Sequence, residues 1–353
     1  MSKNTFFRFL LIPILGSILG LSCCQKSDPQ HVVLIPLSVD SIPNIGFLDA
    51  FHINSGKLYM SYSYSGSVGT KEFRRYGIDT STHQLTYEKS YFIKDDNYRY
   101  LYDPIAFWDD EDNMFAYERS NPYIYRIVED SLIKTNDALI SLSAKVPREM
   151  VQEAKQAFYK SPRQYYFIGR GPKDSYQGIY LSNNEGDSTV ITEVQRIIYD
   201  SKYPFWAINH GRLVYNPERN KAAFGFQLFP TIHIYDLEKQ ECKAVTITKS
   251  NIDTTTFEEA DIWSLNPTQF QFFTSNKDYI YALHWGIKYN EMVAAVNDQR
   301  AKCRIYKLDW KGNVVCSYDL EKGLDAIAVS YDDQYIIGHE KGGEFFLLRF
   351  GDE

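Results

Sequence analysis

The side chains best suited to grip another molecule in this chain are aromatic, and they sit in the longest connections between apolar runs. The segment 97–103 (NYRYLYD) carries Tyr98, Arg99, Tyr100 and Tyr102, and 202–210 (KYPFWAINH) carries Tyr203, Phe205, Trp206 and His210. Trp263 and the corner His284-Trp285-Gly286 follow further on. Aromatic faces beside an arginine suit sugars, peptides or aromatic ligands, because a rigid ring offers a large contact area at small entropic cost. Arg99, Tyr100, Trp206, His210 and Trp285 are therefore the candidate ligand-binding residues, on condition that folding gathers them on one concave surface. Rings that only cover the ends of sheets would have the same composition.

Patterns for catalysis or metal binding are weaker. The seven histidines include no His-x-x-x-His pair. His210, His284 and Asp261 are groups that a fold could bring together near a channel, although each histidine reads first as a structural one. Asp109, Asp110, Glu111 and Asp112 lack the alternating ligands and the glycine of a calcium loop, and they occupy a hairpin turn. There is no Gly-x-Ser-x-Gly elbow, and Gly169-Arg170-Gly171 lacks the third glycine of a dinucleotide fingerprint. No catalytic set, metal or cofactor is assigned.

The elements that must position these loops are strands. An apolar run, a short polar turn and a second apolar run recur at 50–62, 106–118, 213–226, 272–283 and 328–339. Their turns near Asn54, Asp110, Pro217, Asn276 and Asp332 are spaced by about 56, 107, 59 and 56 residues. A second hairpin signal follows in most repeats, and its copy at 178–194 falls inside the double gap, so six four-stranded units are expected. The last unit lacks a fourth strand, while 31–38 (HVVLIPLS) is an orphan strand at the other end. Joining the two closes a ring and removes two exposed sheet edges. The expected fold is all-β, a six-bladed propeller of antiparallel blades whose N-terminal strand closes the last blade. One inserted helix is expected near 147–160, where Met150, Val151, Ala154, Ala157 and Phe158 share a helical face after Pro147. Short hairpins leave one face of such a ring, and the long aromatic connections all leave the other, which marks it as the binding face.

The first residues read as an export signal: Lys3 and Arg8, an apolar run over 9–21, then Leu21-Ser22-Cys23-Cys24. This resembles a bacterial lipobox, with Cys23 (or Cys24) as the lipidated residue. The expected division is 1–22 signal peptide, 23–30 tether and 31–353 propeller. Cys242, Cys303 and Cys316 are the remaining thiols, and an odd number cannot all pair. Folding the 303–320 hairpin at Lys311-Gly312 places Cys303 near Leu320 and Cys316 near Lys307, so buried, unpaired cysteines are expected. A net charge of -7 without a basic stripe argues against nucleic acid as a partner.

Two further segments carry a family resemblance. Residues 305–318 (IYKLDWKGNVVCSY) and 324–338 (LDAIAVSYDDQYIIG) resemble the closing blades of the TolB-like six-bladed propeller lipoproteins of Bacteroidetes. The most specific part is the turn at Asp309, Trp310 and Gly312. The resemblance implies a cell-envelope lipoprotein and offers no catalytic residues to carry over. Together these readings lead to an expected envelope protein, held to a bacterial membrane, the outer membrane foremost, by its N-terminal lipid. Its long-loop face would bind a protein, peptide or glycan without catalysis. The alternative is a lipid-anchored propeller lyase or hydrolase acting on an extracellular carbohydrate or ester.

Overall fold

In the computed structural model, the described residues are 29–40, 47–63, 71–92, 104–109, 111, 113–117, 123–128, 131–139, 154–171, 176–186, 188–203, 205–249, 252–257, 262–340 and 343–350. Almost all of them are strand or tight turn. Three sheets have four strands in simple meander order, spanning 105–138, 154–197 and 211–246. A fourth meander, 267–320, gains a short parallel edge from Gln30–His31, which pairs with Tyr318 and Asp319. The remaining strands form one eight-stranded sheet. One half of it is the 47–92 meander. The other is Leu324–Val329, Tyr335–Glu340, Phe345–Arg349 and Leu34–Val39. Among the described residues, the strand pairs Ser38↔Gln84 and Val39↔Leu85 alone join the halves, in parallel.

The orphan N-terminal strand therefore has a partner. Leu34, Ile35, Pro36 and Leu37 pair antiparallel with Leu348, Leu347, Phe346 and Phe345. Pro36 has no N–H to donate, which suits it to a sheet margin. Local turn chemistry sets the hairpins. Ser55 and Gly56 both have positive φ, 45° and 71°, between the paired residues Asn54 and Lys57, the two-residue turn whose twist matches that of the strands. Asp109 accepts from the backbone N–H groups of Glu111 and Asn113, and Asp309 does the same for Lys311 and Asn313. The acidic turn at 109–112 is thus a hairpin brace at Asp109. No group of three or more His, Cys, Asp or Glu able to hold a metal occurs among the described residues.

Burial follows position within each sheet. In the 211–246 sheet the third strand, Thr231–Asp236, is almost wholly buried, while the fourth, Glu241–Thr246, is almost wholly exposed. Separate apolar clusters lie where one sheet faces the next. Phe73 meets Met114 and Tyr125, Phe107 meets Tyr165 and Phe167, and Ile168 meets Leu213 and Phe224. Ile234 meets Phe273 and Leu308, and a larger cluster joins Leu283 and Ile305 to Ile327 and Phe51. The order of contacts runs around the sheets and returns to its start.

Two expectations are corrected. Residues 154–161 are a strand where a helix was expected near 147–160, and 147–153 lie outside the described residues. The pairing Ala154↔Gly169 is followed by Gln156↔Ile168, so a bulge adds one residue. Ala154 and Ala157 consequently both turn inward, and their three-residue spacing imitates a helical face. This strand and Gln164–Arg170 form the hairpin that the repeat had lacked. The second correction concerns Cys242, which is exposed on its rim strand, whereas Cys303 and Cys316 are buried and unpaired, opposite Leu320 and Lys307.

Gly225 allows the 211–246 and 267–320 sheets to meet: a Cβ at this position would fall inside the ring of Phe273. Gly225→Ala is expected to destabilise the fold by about 1–3 kcal/mol, the range for overpacking a filled core. Chemical denaturation of the wild type and variant checks this; equal midpoints would refute the steric reading.

Candidate functional site

The innermost strand of each meander, 47–54, 105–108, 154–161, 211–216 and 267–275, together with 324–329, lines one shared cavity of about 1190 Å³. The first strands also touch one another in sequence: 105–108 against 154–161, 211–216 against 267–275, 267–275 against 324–329, and 324–329 against 47–54. Between 154–161 and 211–216 the link is a side chain. The Gln156 amide donates to the Leu213 carbonyl at 3.2 Å and accepts from the Leu213 N–H at 2.8 Å, so it acts as a piece of strand between two sheets.

The two ends of the cavity differ. At the end formed by short hairpins lie Asp109, Glu111, Lys160, Glu218, Lys277 and Tyr331. At the long-loop end the walls carry Lys155, Arg170, Gln177, His210 and Arg212. Antiparallel register explains this second group. Ala154 pairs with Gly169, and Arg170 with Gln177, so strand starts and ends from one sheet meet at one level. His210 and Arg212 enter from the adjoining sheet, where 211–216 begins.

Two of the long loops are held by buried asparagines placed just before an inner strand. Asn209 accepts from the Tyr199 N–H at 2.7 Å and donates to the carbonyls of Tyr203 and Phe205. Asn266 accepts from the Asp253 N–H at 2.8 Å and donates to Thr256 Oγ1 and the Ile262 carbonyl. Each asparagine replaces several backbone partners at once, which lets an irregular loop be buried at its base. The first loop presents Trp206. The second presents Trp263 on the short helix α1, Ile262–Leu265. The indoles lie 6.1 Å apart, and His210 is 6.4 Å from Trp206 and 5.7 Å from Trp263. The Arg170 guanidinium stands 3.8 Å from the Trp206 ring centre and the Lys155 ammonium 4.3 Å from it.

Folding thus brings Trp206 and His210 together. It places Trp285 elsewhere: this indole is 6% exposed, donates to the Leu324 carbonyl at 2.7 Å and packs in the core beside Met292. The helix α2, Tyr289–Asn297, not expected from the sequence, covers that region. Arg99, Tyr100 and Asp261 lie outside the described residues. His284 meets Gln269 at 3.2 Å, with its ring against Phe270 and Tyr306. Lys155, Gln177 and Arg212 were missed, because their meeting depends on register across strands and leaves no motif in the chain.

Burial pushes His210 down to about 3, and the charges of Lys155, Arg212 and Arg170 act in the same direction. Its Nδ1 lies 2.8 Å from Gln227 Oε1. An amide oxygen only accepts, so Nδ1 carries the proton and Nε2 presents a lone pair. His233 and His284 are likewise pushed down to about 4 by burial, with Arg304 adding to the effect at His284. All three bind fewer protons folded than unfolded between these values and 6.5, so stability is full above about pH 6.5 and falls as the pH drops toward 4. Each contributes at most about 1.4 kcal/mol per pH unit within its window. Thermal unfolding from pH 7 to 4 should show this decline, with a shallower slope in His210→Gln. Identical slopes would mean that His210 binds protons equally in the folded and unfolded protein.

No protein-family profile matches the sequence, and no curated protein matches it. Among solved structures the chain is similar to a member of the DUF4221 family from Bacteroides vulgatus, with a TM-score of 0.53 at 9% identity over 92% of this chain and 97% of that one. It is also similar to the β-propeller domain of Myceliophteria thermophila Cps50 (Swd1), with a TM-score of 0.42 at 9% identity over 90% of this chain and all of that one. At such identities the first likeness speaks for the fold alone.

Proposed function

We propose that this chain is a cell-envelope lipoprotein of TolB-like character. In this reading it is built as a six-bladed propeller, and the long-loop mouth of its central cavity binds an extracytoplasmic partner without catalysis. The observation that carries this reading is the convergence of six inner strands on one cavity lined at its long-loop end by His210 and Arg170, against which Trp206 and Trp263 pack. Counting the eight-stranded sheet as two blades supports the number six, because among the described residues only two strand residue pairs join its halves. Closure through Leu34–Val39 supports a ring. The anchor rests on the Leu21-Ser22-Cys23-Cys24 pattern.

The lyase or hydrolase reading needs a proton acceptor at the same mouth. A general base works best when its pKa lies near the working pH. His210, pushed down to about 3 by burial, is a poor acceptor at neutral pH, so the catalytic reading would need a different base.

Two experiments test the proposal. Metabolic labelling with an alkyne fatty acid in a bacterial host should mark the full-length protein and should fail on Cys23→Ala; labelling of that variant at wild-type level would move the anchor to Cys24. For binding, the full-length protein is probed on arrays of peptides and of neutral and acidic oligosaccharides. Trp206→Ala should weaken the captured interaction about tenfold or more with little change in melting temperature. By contrast, Trp285→Ala should cost about 3–5 kcal/mol of stability as a core truncation. Unchanged capture by Trp206→Ala would remove the long-loop mouth from the proposal.

A further inference from the structure

We infer that the long-loop mouth, between the 154–197 and 211–246 sheets, is a built subsite for an acidic sugar, a ligand bearing one carboxylate and neighbouring hydroxyls. This rests on the reading of that mouth as the binding face and names the class of ligand it takes.

Gln177 stands out among the residues of this mouth. It is 1% exposed and lines the cavity, yet neither its Nε2 nor its Oε1 has a hydrogen-bond partner. A buried carboxamide left without partners costs about 1–3 kcal/mol per group, and such groups call for a specific explanation. Gln156, two strands away in the same sheet, shows the ordinary outcome, with both ends of its amide bonded to Leu213. Gln177 instead lines the cavity with both ends of its amide unpartnered. Trp263 Nε1 is a second buried donor without a partner, on the indole that lies against His210.

The groups around Gln177 discriminate between ligand classes. Arg170 sits directly opposite it in register, and Lys155 and Arg170 share the Trp206 ring. With Arg212 on the same wall, these three side chains give the mouth a positive field that favours a carboxylate. Donors alone would suit a bare inorganic anion equally well. Gln177 Oε1 and His210 Nε2 are acceptors, however, so the ligand must also carry donors, and a bare anion has none. A sugar acid supplies the hydroxyls and the charge together.

The test is titration of the full-length protein with D-glucuronate, D-glucose and sulfate at matched ionic strength, followed by tryptophan fluorescence and melting temperature. A tetragalacturonate arm separates a free sugar acid from the residue of a chain. Glucuronate or tetragalacturonate should change the fluorescence and raise the melting temperature, while glucose and sulfate at the same concentration do neither. Gln177→Leu should weaken binding at least tenfold, and Lys155→Gln, altered at a half-buried position and suited to a case where Gln177→Leu fails to fold, should weaken it several-fold. Equal response to sulfate, no response to either acid up to 20-fold above the concentration used for the array, or full affinity in both variants would overturn the assignment. Capture of a peptide or neutral glycan that is lost in Trp206→Ala, without any response to acids, would overturn this assignment while leaving the binding face in place.

Discussion

Among the described residues, neighbouring sheets share few backbone hydrogen bonds, so side chains must hold them around the cavity. Apolar clusters supply most of the attraction, but they do not set the height of one sheet against the next. At two of the seams a polar latch between a buried ring and the hairpin turn of the following sheet fixes that height. Tyr166 donates to Asn220 at 3.2 Å, and Tyr281 donates to Asp333. Both acceptors sit in turns with positive φ, 46° and 65°. Asp333 also takes Lys307 at 2.6 Å and Asn276 at 2.8 Å, and Trp310 donates to the Asn276 carbonyl. A phenol hydroxyl buried without a partner would be costly, so each latch admits a single alignment.

The site inherits its geometry from that alignment. Its polar groups stand on strand ends, and the loops above them are fastened at their bases by Asn209 and Asn266. Groups placed on such a frame are held more exactingly than groups on free loops. The contrast between Gln156 and Gln177 follows from the frame as well. One amide bridges a gap that the strands leave open, and the other faces the cavity that the gap borders.

Much of the architecture was legible because hairpin chemistry is local. Asn54-Ser55-Gly56 and the Asp109 and Asp309 braces announce their turns within four or five residues. The strand at 154–161 was misread because a bulge is a property of pairing with Gln164–Arg170, invisible in one strand alone. α2 was missed for a related reason. Its N-terminus is closed by Glu291 bonding back to the Lys288 N–H, a short signal at the end of a long strand. In the site, aromatic residues stood out by type, yet type did not separate Trp206 at the mouth from Trp285 in the core. The environment of Trp285 is made by α2 and by Leu324, 39 residues away.

The N-terminal segment does more than complete a sheet. The chain enters the domain at Gln30–His31 on the edge of the 267–320 sheet, then runs at once into the closing pair with Phe345–Arg349 and touches 84–85. Between Gln30 and Val39 one short stretch therefore clasps three segments distant in sequence, 318–319, 345–348 and 84–85.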